Sequence, residues 1–236
     1  MFNRRSLLKL VAALAAVGAA RAVMIYGGRP FGRTKTPPPT PVDRSAAWTF
    51  FAAGEADTIE AIVDRLIPAD ALSIGGREAG CAIFLDRQLS GPYGQSTVQY
   101  LAGPEARGTP QQGPQATHTI AVGYRKGLAA LARHCAAQPG GKAFAELAPA
   151  TQDALLRGLE SGSIPLDGAD GVNFFNRLLA NTREGYFADP IYGGNKGMAG
   201  WKLVGFPGAR YDYRDFIGRR GEALGLAPVS LIGGDA

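Results

Sequence analysis

Beyond residue 48, apolar positions recur at intervals of three and four, the spacing of a helix that buries one face. Ile59, Ile62, Val63, Leu66 and Ile67 make the first such stripe, and Glu55 and Asp57 stand at its start, where acids favour the helix dipole. Pro68 ends it, because proline disfavours the α conformation of the residue before it. Cys81, Phe84, Leu85 and Leu89 form a second stripe that stops at Gly91-Pro92, and Tyr124, Leu128, Leu131 and Cys135 form a third. A short piece at 144–147 precedes a fourth helix carrying Leu155, Leu156 and Leu159. The last runs from Val172 through Phe175, Leu178 and Leu179, with Asp170 as its N-cap and Gly185 past its end. No stretch alternates with period two among β-branched residues, and no Asn-Gly or Asp-Gly turn separates two such stretches. The pattern predicts an all-α fold, a single compact domain of five or six helices spanning 48–236.

The chain before that domain follows a different rule. Arg4 and Arg5 are adjacent, Leu7, Leu8 and Lys9 follow, residues 10–20 carry no charge, and Ala20-Arg21-Ala22 gives the small-x-small pattern of a cleavage site. Arg21 interrupts the apolar run well short of the roughly 20 residues that a spanning helix needs. Residues 1–22 therefore resemble a twin-arginine leader, which addresses a folded protein to the bacterial periplasm or the periplasmic face of the inner membrane. Residues 23–47 contain Pro30, Pro37, Pro38, Pro39 and Pro41 and little to bury, so they are expected to form a semi-rigid tether. Residues 90–117, rich in Gly, Pro, Gln and Thr, are expected to form a long surface loop.

Composition changes this picture mainly by exclusion. The 236 residues carry 25 Lys+Arg against 20 Asp+Glu, a net charge of +5 that at first sight suggests a nucleic-acid footprint. Seven of those 25 cations precede the first acid, Asp43, and a cut after Ala22 leaves 21 cations against 20 acids, net +1. A nucleic-acid binder needs a concentrated basic face to neutralise phosphates, so no nucleic acid is expected as a partner.

The motifs of the commonest enzymes are missing. No two glycines are separated by a single residue, which removes the dinucleotide-binding turn; no phosphate loop, nucleophile elbow or haem-attachment motif occurs either. His118 and His134 have no near partner and no metalloprotease spacing, so both read as surface or satisfied histidines. Neither a catalytic residue, a cofactor nor a metal is expected on this chain. Cys81 and Cys135 lie on the apolar faces of separate helices. They can be inert core thiols, yet an even count in an oxidising compartment favours a bridge, and a disulfide between them is the expectation.

One segment is chemically distinctive. Residues 185–216 hold eight of the chain's 21 aromatic residues together with seven glycines, too broken for a long helix and too aromatic to stay unburied. Aromatic and arginine side chains anchor interfaces. Tyr192, Trp201, Phe206, Arg210, Tyr211, Tyr213 and Arg214 are accordingly the expected partner interface, against the plainer reading that the segment folds back over its own helices. A third reading makes the rings a carbohydrate platform, as in a stand-alone periplasmic sugar-binding protein or enzyme.

Three stretches carry a resemblance. They are Glu60-Ala61-Ile62-Val63-Asp64-Arg65-Leu66-Ile67-Pro68 with Asp70, Glu78-Ala79-Gly80-Cys81 through Asp86-Arg87-Gln88-Leu89, and a long C-terminal signature. That signature contains Glu184-Gly185-Tyr186-Phe187-Ala188-Asp189-Pro190-Ile191-Tyr192-Gly193-Gly194-Asn195 and then Gly200-Trp201-Lys202-Leu203-Val204-Gly205-Phe206-Pro207-Gly208-Ala209-Arg210-Tyr211-Asp212-Tyr213. Together, over roughly 48–216, they resemble the small subunit, subunit 3 or gamma, of gluconate 2-dehydrogenase-type complexes, relatives of which serve fructose, sorbitol and glucose dehydrogenases. The resemblance implies a noncatalytic subunit that helps a large flavoprotein mature and leave the cytoplasm. It also implies FAD on that large subunit and haem c on a cytochrome c subunit, with the twin-arginine translocase engaged through the leader.

Overall fold

The structure, a computed structural model, describes residues 40–99, 108–112 and 118–232. The chain divides into two units, 1–38 and 39–236. The leader with Arg4 and Arg5, and most of the tether, lie outside the described residues, as does much of the 90–117 loop.

Six α-helices occur among the described residues: α1 (Ala53–Leu66), α2 (Cys81–Ser90), α3 (Ile120–Ala136), α4 (Pro149–Ser161), α5 (Gly171–Phe187) and α6 (Ala199–Val204). No strands occur there, only two isolated bridges. Local chemistry sets the ends. The Glu55 carboxylate accepts the Ala52 N–H at 2.9 Å before α1, and Ile67 ends that helix ahead of Pro68. Thr119 caps α3 by accepting from Val122 N, and Asp170 caps α5 by accepting from Asn173 N at 2.9 Å. Pro149 occupies the first turn of α4, whose end is turned by Gly162. Among the described residues, no helix is long and apolar enough to cross a membrane.

Helix α5 is the hub, packing against all five other helices. Its Phe174, Phe175, Leu178 and Tyr186 meet Ile59, Ile62 and Val63 of α1, Phe84, Leu85 and Leu89 of α2, Tyr124, Leu128 and Leu131 of α3, and Leu155, Leu156 and Leu159 of α4 in one core. Arg65 reaches from α1 to Asp153 of α4 with paired hydrogen bonds of 2.7 and 3.0 Å. The hydroxyls of Tyr93 and Tyr124 converge on the Asn181 side chain, which itself donates to Glu184 at 2.8 Å.

Three expectations are revised here. Gly185 lies within α5, not past its end, because its missing side chain makes room for Phe84, whose nearest atom would be 2.9 Å from an added Cβ. The last part of the expected tether is already docked: Val42 N donates to Ile191 O at 3.0 Å and the Arg44 guanidinium to Gly194 O at 3.0 Å. The expected disulfide is absent. Cys81 opens α2, Cys135 sits in the last turn of α3, and both are free, buried thiols belonging to the core. Burial pushes the Cys81 thiol up to about 12 and raises that of Cys135, so the thiolate that oxidation requires is suppressed at both.

Candidate functional site

The aromatic segment is built on the last turn of α5. Past Phe187 the chain makes a short 3-10 turn (Pro190–Tyr192), begun by Asp189, whose Oδ1 accepts from Ile191 N at 3.0 Å. It then crosses the start of α2 with backbone against backbone. Lys196 N donates to Ala79 O at 3.0 Å, and a Cβ on Gly80 would lie 2.5 Å from Gly193 O. Asn195 fastens the turn from inside: its amide donates to Ala188 O and its carbonyl oxygen accepts from Gly200 N, both at 2.8 Å. Asn195 is fully buried in the left-handed region, a conformation asparagine tolerates better than most residues. The turn opens into α6, followed by a tail that folds back through 208–232.

This scaffold sorts the expected interface residues. Trp201 is only 5% exposed; its indole N–H donates to Phe187 O at 2.7 Å, and its ring meets Phe206 edge to face at 5.1 Å. Trp201 therefore packs its own domain and is no free anchor, a correction that follows from a large ring with one donor finding both a cavity and a carbonyl nearby. Arg210 is spent on the tail, donating to Pro207 O at 3.2 Å and Ala227 O at 2.6 Å. Tyr213 donates its hydroxyl to Gly208 O at 2.5 Å. Arg214 is exposed but paired with Asp212, with Nε 2.8 Å from Oδ2. Tyr192 and Phe206 are each nearly half exposed, and Tyr211 is fully exposed.

Exposed apolar groups missed in the sequence join them. Phe187, Leu203 and Val204 all face solvent to two-fifths or more. Beside Phe187 and Tyr192 lies an open, mostly apolar groove of about 530 Å³, completed by Phe84, Gln88, Glu184, Ala188 and Asp189. Large apolar groups grouped on a surface and rimmed by acids suit contact with another protein. Among the described residues, no group of three or more His, Cys, Asp or Glu is placed to hold a metal ion.

The stretches that looked distinctive in sequence thus meet in space. Gly193 to Lys196 lie on Ala79 and Gly80, and Gly76 N donates to Ile67 O at 2.7 Å at the end of α1. A family model for gluconate 2-dehydrogenase subunit 3 matches residues 53–208, from the start of α1 to the turn past Phe206. The chain belongs to the gluconate 2-dehydrogenase subunit 3 family. It is by that membership a subunit of a multi-subunit dehydrogenase complex. No curated protein and no solved structure matches it. The segment typical of subunit 3 ends at Gly208, so Tyr192, Trp201 and Phe206 lie inside the matched region and Arg210, Tyr211, Tyr213 and Arg214 lie beyond it.

Proposed function

We propose that this chain is a noncatalytic, exported small subunit that binds a large FAD-containing sugar or sugar-acid dehydrogenase subunit and accompanies it to the periplasm. The observation that carries the reading is membership in the subunit 3 family over 53–208. Two features of the chain support it. The adjacent Arg4-Arg5 of the leader is the residue pair that a folded-protein export route reads, and the groove at Phe187 and Tyr192 with the exposed Phe206 and Tyr211 offers a protein a place to dock. A cytochrome c subunit carrying haem c completes the complex in this reading, and FAD and haem both reside on partners. Since the twin-arginine route moves folded cargo, a partner without a leader travels bound to one that has it.

Exchange of both arginines tests this. The variant Arg4→Lys/Arg5→Lys keeps the charge, so an effect reports recognition and not electrostatics. The expected result is flavoprotein stranded in the cytoplasm, with sugar-dependent respiration lost and dehydrogenase activity retained in whole-cell lysate. A flavoprotein that reaches the periplasm normally in this strain overturns the carrier role.

A further inference from the structure

The groove beside α5 has a charge pattern that narrows what can occupy it. Its apolar lining is mostly rings: Phe84, Phe187 and Tyr192. Its polar groups are Glu184, Asp189 and Gln88, and no lysine or arginine lines it. Asp189 is held in place, since Oδ1 accepts from Ile191 N at 3.0 Å and Oδ2 from Leu231 N at 2.9 Å. Those neutral donors fix the carboxylate without cancelling its charge. Glu184 is oriented from inside the protein. Its Oε2 accepts from the amide of Asn181 at 2.8 Å, and Asn181 is only 4% exposed and accepts in turn from the Tyr124 hydroxyl at 2.7 Å. Glu184 belongs to no ion pair among the described residues.

The neighbouring cations of the chain do not fill this gap. Arg177, Asn181 and Glu184 are spaced by four and three on α5, so they share a face, but Arg177 stands two turns back, about 10 Å along the axis. Arg183 is exposed and adjacent in sequence, yet the helix turns it about 100° away. Arg87, next to Gln88, pairs with Asp86. Two carboxylates therefore border an apolar groove that contains no counter-ion of the chain's own. A cation is favoured there by the carboxylates and by the aromatic rings alike. Arginine suits the place better than lysine. Its guanidinium is planar and weakly hydrated, it meets a carboxylate with two parallel hydrogen bonds, and its stem can lie along apolar surface. We infer that the groove receives an arginine side chain of the partner dehydrogenase subunit, with Glu184 as its counter-ion. The inference rests on the partner-subunit reading and adds to it the chemistry of the contact.

The test purifies the tagged full-length chain from its native host at a series of NaCl concentrations. The flavoprotein it retains is identified by mass spectrometry and quantified by flavin absorbance. Glu184→Gln keeps an acceptor oxygen for Asn181 and removes only the charge, and unfolding curves check that it stays folded. At low salt it should hold about tenfold less flavoprotein than wild type, the worth of a charge-assisted hydrogen bond. Wild-type retention should fall as salt rises, and that of Glu184→Gln should fall less steeply, because the screened charge is gone. Glu184→Arg should lose the partner, and Arg183→Gln should hold as much as wild type. Folded Glu184 variants that retain the flavoprotein in full, equal loss from Arg183→Gln, or a Glu184→Gln loss with wild-type salt dependence overturns this inference and leaves the partner reading standing. A wild-type chain that retains no flavoprotein at any salt overturns both.

Discussion

The carboxylate of Asp86 accepts both the backbone N–H and the hydroxyl of Thr49, at 2.9 and 2.6 Å, and so ties the middle of α2 to the chain that leads into α1. Its other oxygen accepts from the N–H groups of Phe50 and Phe51 at 2.8 and 3.0 Å, and Arg87 pairs with the oxygen that Thr49 holds. Asp86 is wholly buried. Burial alone would raise its pKa, but the hydrogen bonds from Thr49, Phe51 and Phe50 outweigh burial and hold it below the ordinary carboxylate range.

Asp86→Asn replaces an acceptor oxygen by an NH₂ group that faces donors. It should destabilise the domain by about 3 kcal/mol, the cost of buried donors left unpaired, as read by urea unfolding. The pH dependence has a definite sign. A carboxylate whose folded pKa is depressed contributes stability that is fully present above its unfolded value, near 3.9, and lost as pH falls through the lower folded value. Wild-type stability should therefore drop below about pH 4, and the variant's profile should be flatter there. Equal acid sensitivity in both would show that Asp86 is not the responsible group.

Trp201 and Tyr211 should separate packing from surface. Trp201→Ala removes a buried ring and its hydrogen bond and should cost the isolated chain about 3–5 kcal/mol. Tyr211→Ala, at a fully exposed position, should leave unfolding within about 0.5 kcal/mol of wild type. Comparable losses from both would mean that Tyr211 packs on the domain after all.

Cys81 and Cys135 should be free and shielded in the folded protein. A neutral alkylating agent at pH 8 should label neither in native protein and both after denaturation, since burial pushes Cys81 up to about 12 and also raises Cys135. A linked Cys81–Cys135 peptide pair in non-reduced digests would contradict this.

Gly80 holds α2 against the 193–196 turn. It sits at φ +83°, where an L side chain is strained, and its Cβ would strike Gly193 O at 2.5 Å. Gly80→Ala should cost about 2 kcal/mol or more. Gly54→Ala, in α1 with nothing within 4 Å of an added Cβ, should instead stabilise by about 0.5–1 kcal/mol. Thermal unfolding of the two variants side by side reads both signs.

What the sequence made legible was whatever is decided locally. Pro68 stops α1 by its own sterics and Asp170 caps α5 with its own carboxylate, so both boundaries could be placed from a few residues. Gly185 misled because a glycine after an apolar run is the ordinary mark of a helix end, whereas here it answers Phe84, a residue a hundred positions away. The six residues of α6 are too few for periodicity to register, and their ends are set by left-handed Met198 and Gly205. Composition drew attention to the aromatic segment, but it cannot tell that Trp201 turns inward while Tyr211 turns outward. Asp86 did leave a signal, a lone acid inside the stripe from Cys81 to Leu89, where a charge has to find partners once buried.

The central proposal is that this chain binds a catalytic flavoprotein through its exposed aromatic side chains, Phe187, Tyr192, Phe206 and Tyr211. The most direct measurement is purification of the tagged full-length chain from its native host, with mass spectrometry and flavin absorbance of what is retained. It is run for wild type and for Tyr192→Ala/Tyr211→Ala, after unfolding curves have shown the variant folded. The account predicts an FAD-containing dehydrogenase subunit held by the wild-type chain and at least tenfold less of it held by the variant. A wild-type chain that purifies without any flavoprotein, or a folded variant that retains it in full, would contradict the account.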